Sequence, residues 1–272
     1  FGFAETAANG LLDSLNVQRM FSDLGIQLQV SDRKAARRYV FSEKFERWPL
    51  KWWQTVHLLI CIFKFFLKPQ RVQMAFPFES VQSWGLRHFP KVLLDRLVEP
   101  ALRGIYAGDI QKLSANLILT PLFSRKRRTH FVSRGIVSGQ RGMGPLMNEV
   151  ADKLKARGVQ IHLNSTWSKE LHQRLVALGS PIVVATSAAD AAIIASQVPS
   201  AYNVAKVLAQ IELLPVVTVT AFPEPANTKI KGFGVLFSKL SKSNSLGVLF
   251  NEFIFPRGFR RPAETWILGG AA

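Results

Sequence analysis

Helical and strand periodicities alternate along the second half of the sequence. Pro145–Arg157 repeats apolar side chains at helical spacing, and Val159–Leu163 then alternates as a strand does. Pro181–Thr186 reads as a short apolar strand, and Ala188–Ala195 begins a helix. Further strand runs, separated by Pro, Gly and Ser turns, are Val216–Ala221, Gly234–Phe237, Leu246–Phe255 and Thr265–Leu268. Helices flanked by strands predict an α/β fold of the mixed, α+β kind.

The first half of the sequence predicts helices joined by short strands. Leu11–Leu24 has apolar positions at helical spacing, and Gly25 follows as a C-cap. Glu79–Leu97 reads as another helix, closed by Glu99-Pro100. The runs that read as strands are Ile26–Val30 and Tyr39–Phe41.

The segment Leu50–Arg71 is apolar on nearly every side of a helix. Its uninterrupted apolar core, Leu58–Phe63, is far shorter than the ~20 residues that a membrane span needs. Lysines flank or interrupt the segment, and two tryptophans stand near its start. This pattern indicates a helix lying in a membrane interface, with a buried core helix as the alternative. One seam of the helix consists of Trp52, Val56, Leu59, Phe63 and Phe66.

The charge balance narrows the class of partner. The 272 residues carry 35 Lys and Arg against 18 Asp and Glu, a formal net charge of +17. Nucleic acid, an anionic membrane surface and an anionic small molecule all suit such a charge. Because 20 Phe and 6 Trp accompany the cations, we favour a membrane or an amphiphile over nucleic acid. The basic run Arg125–Arg128 is interpreted as a solvated loop, with a nucleic-acid patch as the alternative.

The sequence carries no self-contained catalytic motif. It has no Walker loop, no G-x-G-x-x-G, no H-E-x-x-H and no G-x-S-x-G. Its five histidines lack metal-ligand spacing, so we predict no metal site, and the lone Cys61 is interpreted as a small buried hydrophobe. His88 is interpreted as structural or exposed. The glycine turn Arg141–Gly144 leads into a helix and could closely approach a phosphate or a flavin.

Ordered motifs along the chain resemble those of the protoporphyrinogen oxidases. The longest is Glu99–Ser114, which is similar to the family's Tyr-Ala-Gly-Asp turn followed by Lys-Leu-Ser. The others, in family order, are Glu79–Val81, Gly142–Met143, Ile161–Asn164, Val184–Thr186, Lys231–Gly234, Leu246–Val248, Phe255–Pro256 and Gly269–Ala271. Four departures are Arg141 for glycine, Ser187 for proline, Ile110 for proline and Trp167 for valine.

The resemblance implies a flavoprotein of the monoamine-oxidase type with FAD as cofactor. It divides the chain into FAD-domain parts at 1–24 and 138–195, a helical substrate and membrane-associated region at 25–137, and a substrate-binding sheet at 196–272. The family's N-terminal β-α-β unit and C-terminal flavin-facing segment fall outside these residues. We therefore expect the chain by itself to bind FAD poorly or not at all.

The resemblance also implies site residues. Arg38 aligns with the arginine that anchors a propionate in the family, and the neighbouring Arg37 is a weaker candidate for the same role. Phe233 aligns with an aromatic residue that packs on the macrocycle. Gly104 aligns with a position whose backbone lines the pocket. An exposed strand-edge cation is the alternative for Arg38, and plain core for Phe233. No catalytic residue is assigned. The implied cofactor-binding residues are Gly142, Met143, Gly144, Trp167 and Thr186.

The implied activity is oxidation of protoporphyrinogen IX or a related porphyrinogen in haem biosynthesis, on the cytoplasmic face of the inner membrane. The resemblance implies a peripheral membrane contact and leaves a homodimer open. One alternative is an amine-oxidase-like flavoenzyme with an amine or polyene substrate. The other is a non-catalytic module that binds a membrane or a porphyrin.

Overall fold

The computed structural model of the chain describes residues 4–5, 8–123, 135–179, 181–224, 230–258 and 261–271. These residues divide into two compact units, Phe1–Leu154 with Leu214–Ala272 and Lys155–Leu213. The four-segment domain map follows other boundaries and stays a prediction. The basic run at 125–128 lies outside the described residues.

Strands and helices alternate along both halves of the chain. The strands are β1 (Leu11–Leu12), β2 (Leu28–Val30), β3 (Arg38–Phe41), β4 (Phe45–Glu46), β5 (Ile136–Gly139), β6 (Val216–Ala221), β7 (Gly234–Phe237), β8 (Ser245–Phe250) and β9 (Glu264–Gly269). The helices are α1 (Leu15–Asp23), α2 (Trp52–Leu67), α3 (Gln70–Gln73), α4 (Val81–His88), α5 (Lys91–Leu93), α6 (Glu99–Tyr106), α7 (Ala115–Phe123), α8 (Met143–Ala156), α9 (Lys169–Ala177), α10 (Ala188–Ser196), α11 (Tyr202–Ala209) and α12 (Asn251–Ile254).

Two sheets organise the first unit. A three-stranded antiparallel sheet has the order β1-β5-β2, and its core lies between α1 and α8, around Phe21 and Leu146. A six-stranded sheet has the order β4-β3-β7-β8-β9-β6. Its neighbours are antiparallel except for β3 and β7, which run parallel. This mixed sheet with helices packed on it confirms the predicted α/β class.

Proline positions correct two of the predicted boundaries. Helical backbone continues from α5 through a π-helical turn, Leu94–Val98, into α6, so the helix end predicted at Glu99-Pro100 is wrong. Proline lacks the N–H that an unbroken α-helix would use at this position, and the π-helical turn lies directly before Glu99-Pro100. The long helix predicted over 79–97 is interrupted, since α4 ends before Phe89 and Pro90. Proline disfavours the helical conformation in the residue before it, and Phe89 is extended.

Three predicted strands differ from the structure. Residues 159–162 and 181–185 are irregular, and no described strand pairs with them. Alternation of apolar and polar residues reports which side chains could be buried, but a strand needs a hydrogen-bonded neighbour. The run Leu246–Phe255 divides into β8 and the short helix α12, because the chain turns after Phe250.

The second unit, Lys155–Leu213, is helical. Helices α10 and α11 pack together, and the small residues Ala192 and Ala205 are their buried positions. Serine side chains cap two of its helices, with Ser168 accepting from the Leu171 amide and Ser187 from the Asp190 amide.

Helix α2 turns its predicted apolar seam outwards. Trp52 is 76% exposed and Phe63 is 67% exposed, and the other seam positions are exposed as well. Phe65, on the opposite side, is buried against α4 and α7. This arrangement excludes the buried-core alternative for the seam within the described chain. Every helix of the described residues is too short or too polar for a transmembrane span.

An aromatic cluster fixes the inner side of α2. The Phe65 ring centroid lies 4.9 Å from that of His88 and 5.8 Å from those of Trp84 and Phe89. The ammonium group of Lys68, at the end of α2, donates to Nδ1 of His88 at 3.1 Å. Burial lowers the pKa of His88 to about 4, with the charges of Lys68 and Arg87 acting in the same direction. His88 is therefore a neutral structural residue at neutral pH.

Acid is expected to destabilise the chain through His88. The unfolded chain takes up a proton at this residue near its ordinary pKa of 6.5, whereas the folded chain does so only near pH 4. The His88 contribution to the free energy of unfolding is thus complete above pH 6.5 and falls as the pH drops towards 4. Urea midpoints of the wild type and His88→Gln, compared at pH 7 and pH 4.5, measure it. The wild type should lose more stability than the variant, and equal losses would contradict this assignment.

Candidate functional site

The parallel pair β3–β7 assembles the candidate substrate site. Arg38, the first residue of β3, lies opposite Gly234, the first residue of β7. The amide of Phe233 donates to the carbonyl of Arg37 at 2.7 Å, which continues the ladder one step beyond the strand. Arg38 and Phe233 are therefore neighbours, although they are far apart in the sequence.

Arg38 and Phe233 form a cation–π pair. The guanidinium carbon of Arg38 lies 4.9 Å from the centroid of the Phe233 ring. Phe233 is half-buried against the cluster of Ala35, Ile254 and Phe255, whereas Arg38 is exposed. Stacking on a ring leaves the planar N–H groups of arginine available to a carboxylate. Within the described part of the chain Arg38 has no acidic partner, so its charge is available to a ligand.

Two glycines allow this arrangement. A Cβ atom added to Gly232 would lie 2.4 Å from the Arg37 carbonyl oxygen, and one added to Gly234 would lie 2.0 Å from the Val248 carbonyl oxygen. The backbone on either side of Phe233 thus approaches both neighbouring strands more closely than a side chain permits. The Gly-Phe-Gly pattern therefore positions Phe233 between β3 and β8.

Gly104 brings α6 onto the same face of the sheet. A Cβ atom added to Gly104 would lie 2.3 Å from Cδ2 of Leu236 and 3.8 Å from the Leu246 carbonyl oxygen. Leu236 lies two residues after Gly234 in β7, and Gly234 pairs with Arg38. Since side chains alternate along strands, Leu236 and Arg38 point to the same face. Gly104 and Arg38 thus lie on one face of β7, Phe233 directly precedes this strand, and the contact of all three with a substrate stays a prediction.

The predicted cofactor turn lies at the start of α8. Gly142 has a φ of +102°, a conformation that favours glycine, and Met143 is the first helical residue. The amide of Met143 donates to Oε1 of Glu5 at 2.7 Å. A Cβ atom added to Gly144 would have no heavy atom within 4 Å.

These features test whether the turn fits a flavin. Gly144 is exposed and has open space where a side chain would be, so a ring could approach its backbone. The first amide of α8 is already occupied by a carboxylate, so a phosphate group does not fit there. The Met143 amide is therefore not free for the diphosphate of FAD, and contact of the turn with this cofactor stays a prediction.

Trp167 and Thr186 belong to the second unit, whereas Gly142–Gly144 belongs to the first. Trp167 is half-buried beside His172, with ring centroids 5.5 Å apart, and Thr186 is exposed. Among the described residues, Nε1 of Trp167 is buried without a hydrogen-bond partner. An orphaned donor of this kind is compatible with a ligand contact, and both assignments stay predictions.

Sequence reasoning missed the polar side chains that support the glycine turn. Glu5 and Arg257 lie at opposite ends of the chain, in stretches without periodicity or a motif for such a pair. The structure joins them, with Nη1 of Arg257 3.8 Å from Oε1 of Glu5. The signal in the sequence that could have indicated this ion pair was the opposite charge of Glu5 and Arg257, each in an apolar stretch.

Asp109 caps the turn that follows Gly108. Its Oδ1 accepts from the Gln111 amide at 2.9 Å, and its Oδ2 accepts from the Lys239 ammonium at 2.8 Å. Burial by itself would raise the pKa of Asp109, but these hydrogen bonds and the Lys239 charge outweigh it and lower the pKa. Asp109 is an ionised structural group, which does not suit it as a base.

Comparison with known proteins shows a distant fold relationship. The chain is similar to the solved structure of a protein named "Putative protoporphyrinogen oxidase" from Exiguobacterium sp. 255-15, with a TM-score of 0.56 and 12% identity. The match covers 93% of this chain and 63% of that one. No protein-family model and no curated protein matches the sequence. At this identity the likeness supports the fold and does not define the chemistry.

Proposed function

We propose that the chain contributes the substrate site of an FAD-dependent oxidase that converts a porphyrinogen to a porphyrin. The observation that carries the proposal is the exposed guanidinium of Arg38 stacked on Phe233 at the edge of β7, where the sheet meets α6. The fold it shares with the Exiguobacterium protein supports the proposal. Because the chain spans 63% of that protein's length, we propose the oxidase activity for the whole protein and not for this chain alone.

The proposed substrate matches the chemistry of this pair. A porphyrinogen combines a wide apolar macrocycle with anionic propionate groups. A guanidinium binds a carboxylate through two parallel hydrogen bonds, and an aromatic ring beside it packs against the macrocycle. Arg38 would therefore orient one propionate while Phe233 supports the adjoining ring edge. The exposed cations Arg37 and Lys231 add positive potential around the same position.

The chemistry requires six electrons and six protons to leave the porphyrinogen. FAD, when bound, would accept the electrons and pass them to oxygen or another acceptor. The residues of this chain hold the substrate: Arg38 fixes its orientation, and the open side of Gly144 leaves room for a ring near the turn. No side chain is assigned as a base.

We also propose that α2 contacts a membrane surface from one side, in keeping with an enzyme whose substrate is amphiphilic. Its exposed seam is apolar, and Lys51 and Lys64 are exposed at its start and in its last turns. A helix with this pattern inserts its apolar face at the level of the headgroups, while lysines contact anionic lipids.

Replacing Arg38 by alanine tests the substrate assignment. We expect KM for the porphyrinogen to rise about 10- to 100-fold in the complete protein, because a charge-assisted hydrogen bond contributes roughly 1.5–3 kcal/mol. Turnover at saturating substrate should change much less, since Arg38 positions the substrate without taking part in electron transfer.

Arg19→Ala is the matched control, because it removes the same charge from an exposed position in α1, outside the six-stranded sheet. A KM that stays unchanged in Arg38→Ala would remove Arg38 from this role. Turnover of a neutral polyene or an amine with no dependence on Arg38 would favour the alternative flavoenzyme class.

A further inference from the structure

The N-terminus of α8 holds an anion supplied by the protein itself. Oε1 of Glu5 accepts from the Met143 amide at 2.7 Å. The same oxygen is 3.8 Å from Nη1 of Arg257, and Nη2 of Arg257 donates to Oγ of Ser138 at 3.1 Å. Ser138 lies in β5, immediately before the glycine turn. The cluster thus connects three segments of the chain around the start of one helix.

The cluster is almost completely withdrawn from water. Glu5 is 7% exposed, Ser138 is 0% exposed, and the Arg257 side chain is 9% exposed. Burial lowers the pKa of Arg257, while the negative charges of Glu5 and Glu252 act in the opposite direction. Charges in such surroundings interact strongly, and removing one leaves the other without compensation. The carboxylate is therefore held in place by both the amide and the arginine.

An arginine beside the first amide of a 14-residue helix is the composition of a phosphate-binding site. The helix dipole adds positive potential at the same point. In this chain the position is occupied, because the Glu5 carboxylate accepts from the amide that would bind a phosphate oxygen.

We propose that Glu5 is a built-in anion that fills this position and so keeps phosphate groups away from the glycine turn. The role of Glu5 in an enzyme rests on the proposed flavin function. Because Glu5 excludes phosphate, a cofactor that carries both a ring and a diphosphate could present only its ring to Gly144. Glu5 is thus a positioning and specificity residue that contacts the turn and not the reacting atoms.

Removing the carboxylate should convert the turn into a phosphate site. In Glu5→Ala and Glu5→Gln, inorganic phosphate at constant ionic strength should raise the melting temperature in a saturable way. The expected rise is about 3 °C at a tenfold excess over the dissociation constant. The wild-type chain should show no such rise, because its own carboxylate competes at the site.

Asp152→Asn is the matched control, because it removes one negative charge from an exposed position further along α8. It should respond to phosphate as the wild type does. If a Glu5 variant is unfolded in plain buffer, phosphate should restore its folding. A phosphate response in the wild type, or none in either Glu5 variant, would overturn the proposal. The assay contains no flavin, so its result is separate from the test of the oxidase function with Arg38→Ala.

Discussion

Gly234→Ala is expected to destabilise the chain by about 3 kcal/mol or more. The added Cβ atom would lie 2.0 Å from the Val248 carbonyl oxygen and 3.0 Å from its carbon. Both contacts are with backbone, which cannot rotate away as a side chain does. Because β7 pairs with β3 on one side and with β8 on the other, relief requires breaking part of a ladder in the middle of the sheet. The proposed substrate site should be lost together with the pairing.

The measurement is the free energy of unfolding from urea titration. Gly144→Ala is the matched control, because its added Cβ atom meets no heavy atom within 4 Å and its position is helical. That substitution should change stability by less than about 1 kcal/mol, with a gain from reduced flexibility of the unfolded chain. Equal stabilities of the two variants would contradict the close approach at Gly234.

Leu59→Glu combined with Phe63→Glu should abolish binding of the chain to anionic vesicles, with an affinity loss of about 100-fold or more. Each of these side chains contributes roughly 1.5–3 kcal/mol when it leaves water, and a carboxylate in its place is repelled by the lipid. Both residues are exposed, at 60% and 67%, so the fold should keep its stability. Co-sedimentation with vesicles of phosphatidylcholine and phosphatidylglycerol measures the loss.

The matched control places the same two charges elsewhere. Leu12 and Leu240 are exposed apolar residues outside α2, so Leu12→Glu with Leu240→Glu changes the net charge equally. This control should retain vesicle binding, and wild-type binding should weaken with salt because lysines contribute. If both double variants lose binding to the same extent, the net charge and not the α2 seam is responsible.

Local patterns predicted the parts of the fold that depend on neighbouring residues. The seam of α2 follows from apolar positions at helical spacing, and the strand runs of β6, β7 and β9 follow from β-branched and other apolar residues between turns. The direction of the α2 seam could not follow from the pattern, because the same periodicity serves a core and an exposed face. That choice depends on what packs around the helix.

The remaining parts of the fold depend on pairing between segments that are distant in the sequence. The parallel contact between β3 and β7 depends on strands whose sequences carry no sign of their partner. The stretches at 159–163 and 181–186 show the converse, since their alternation predicted strands although no described strand pairs with them. Arg38, Gly104 and Phe233 could be proposed together only through the family resemblance. The contact of Glu5 with α8 has no local signature at all.

The parallel pairing of β3 with β7 also determines when the proposed substrate site can form during synthesis. Arg38 and Phe233 are about 200 residues apart, so their contact closes a long loop and forms late. At about 5–20 residues per second, a ribosome produces β7 roughly 10–40 s after β3. During this interval the apolar seam of α2 has already been synthesised, while the six-stranded sheet still lacks β7, β8 and β9. A lipid surface or a chaperone that covers the seam would therefore meet the nascent chain before it can bind a substrate.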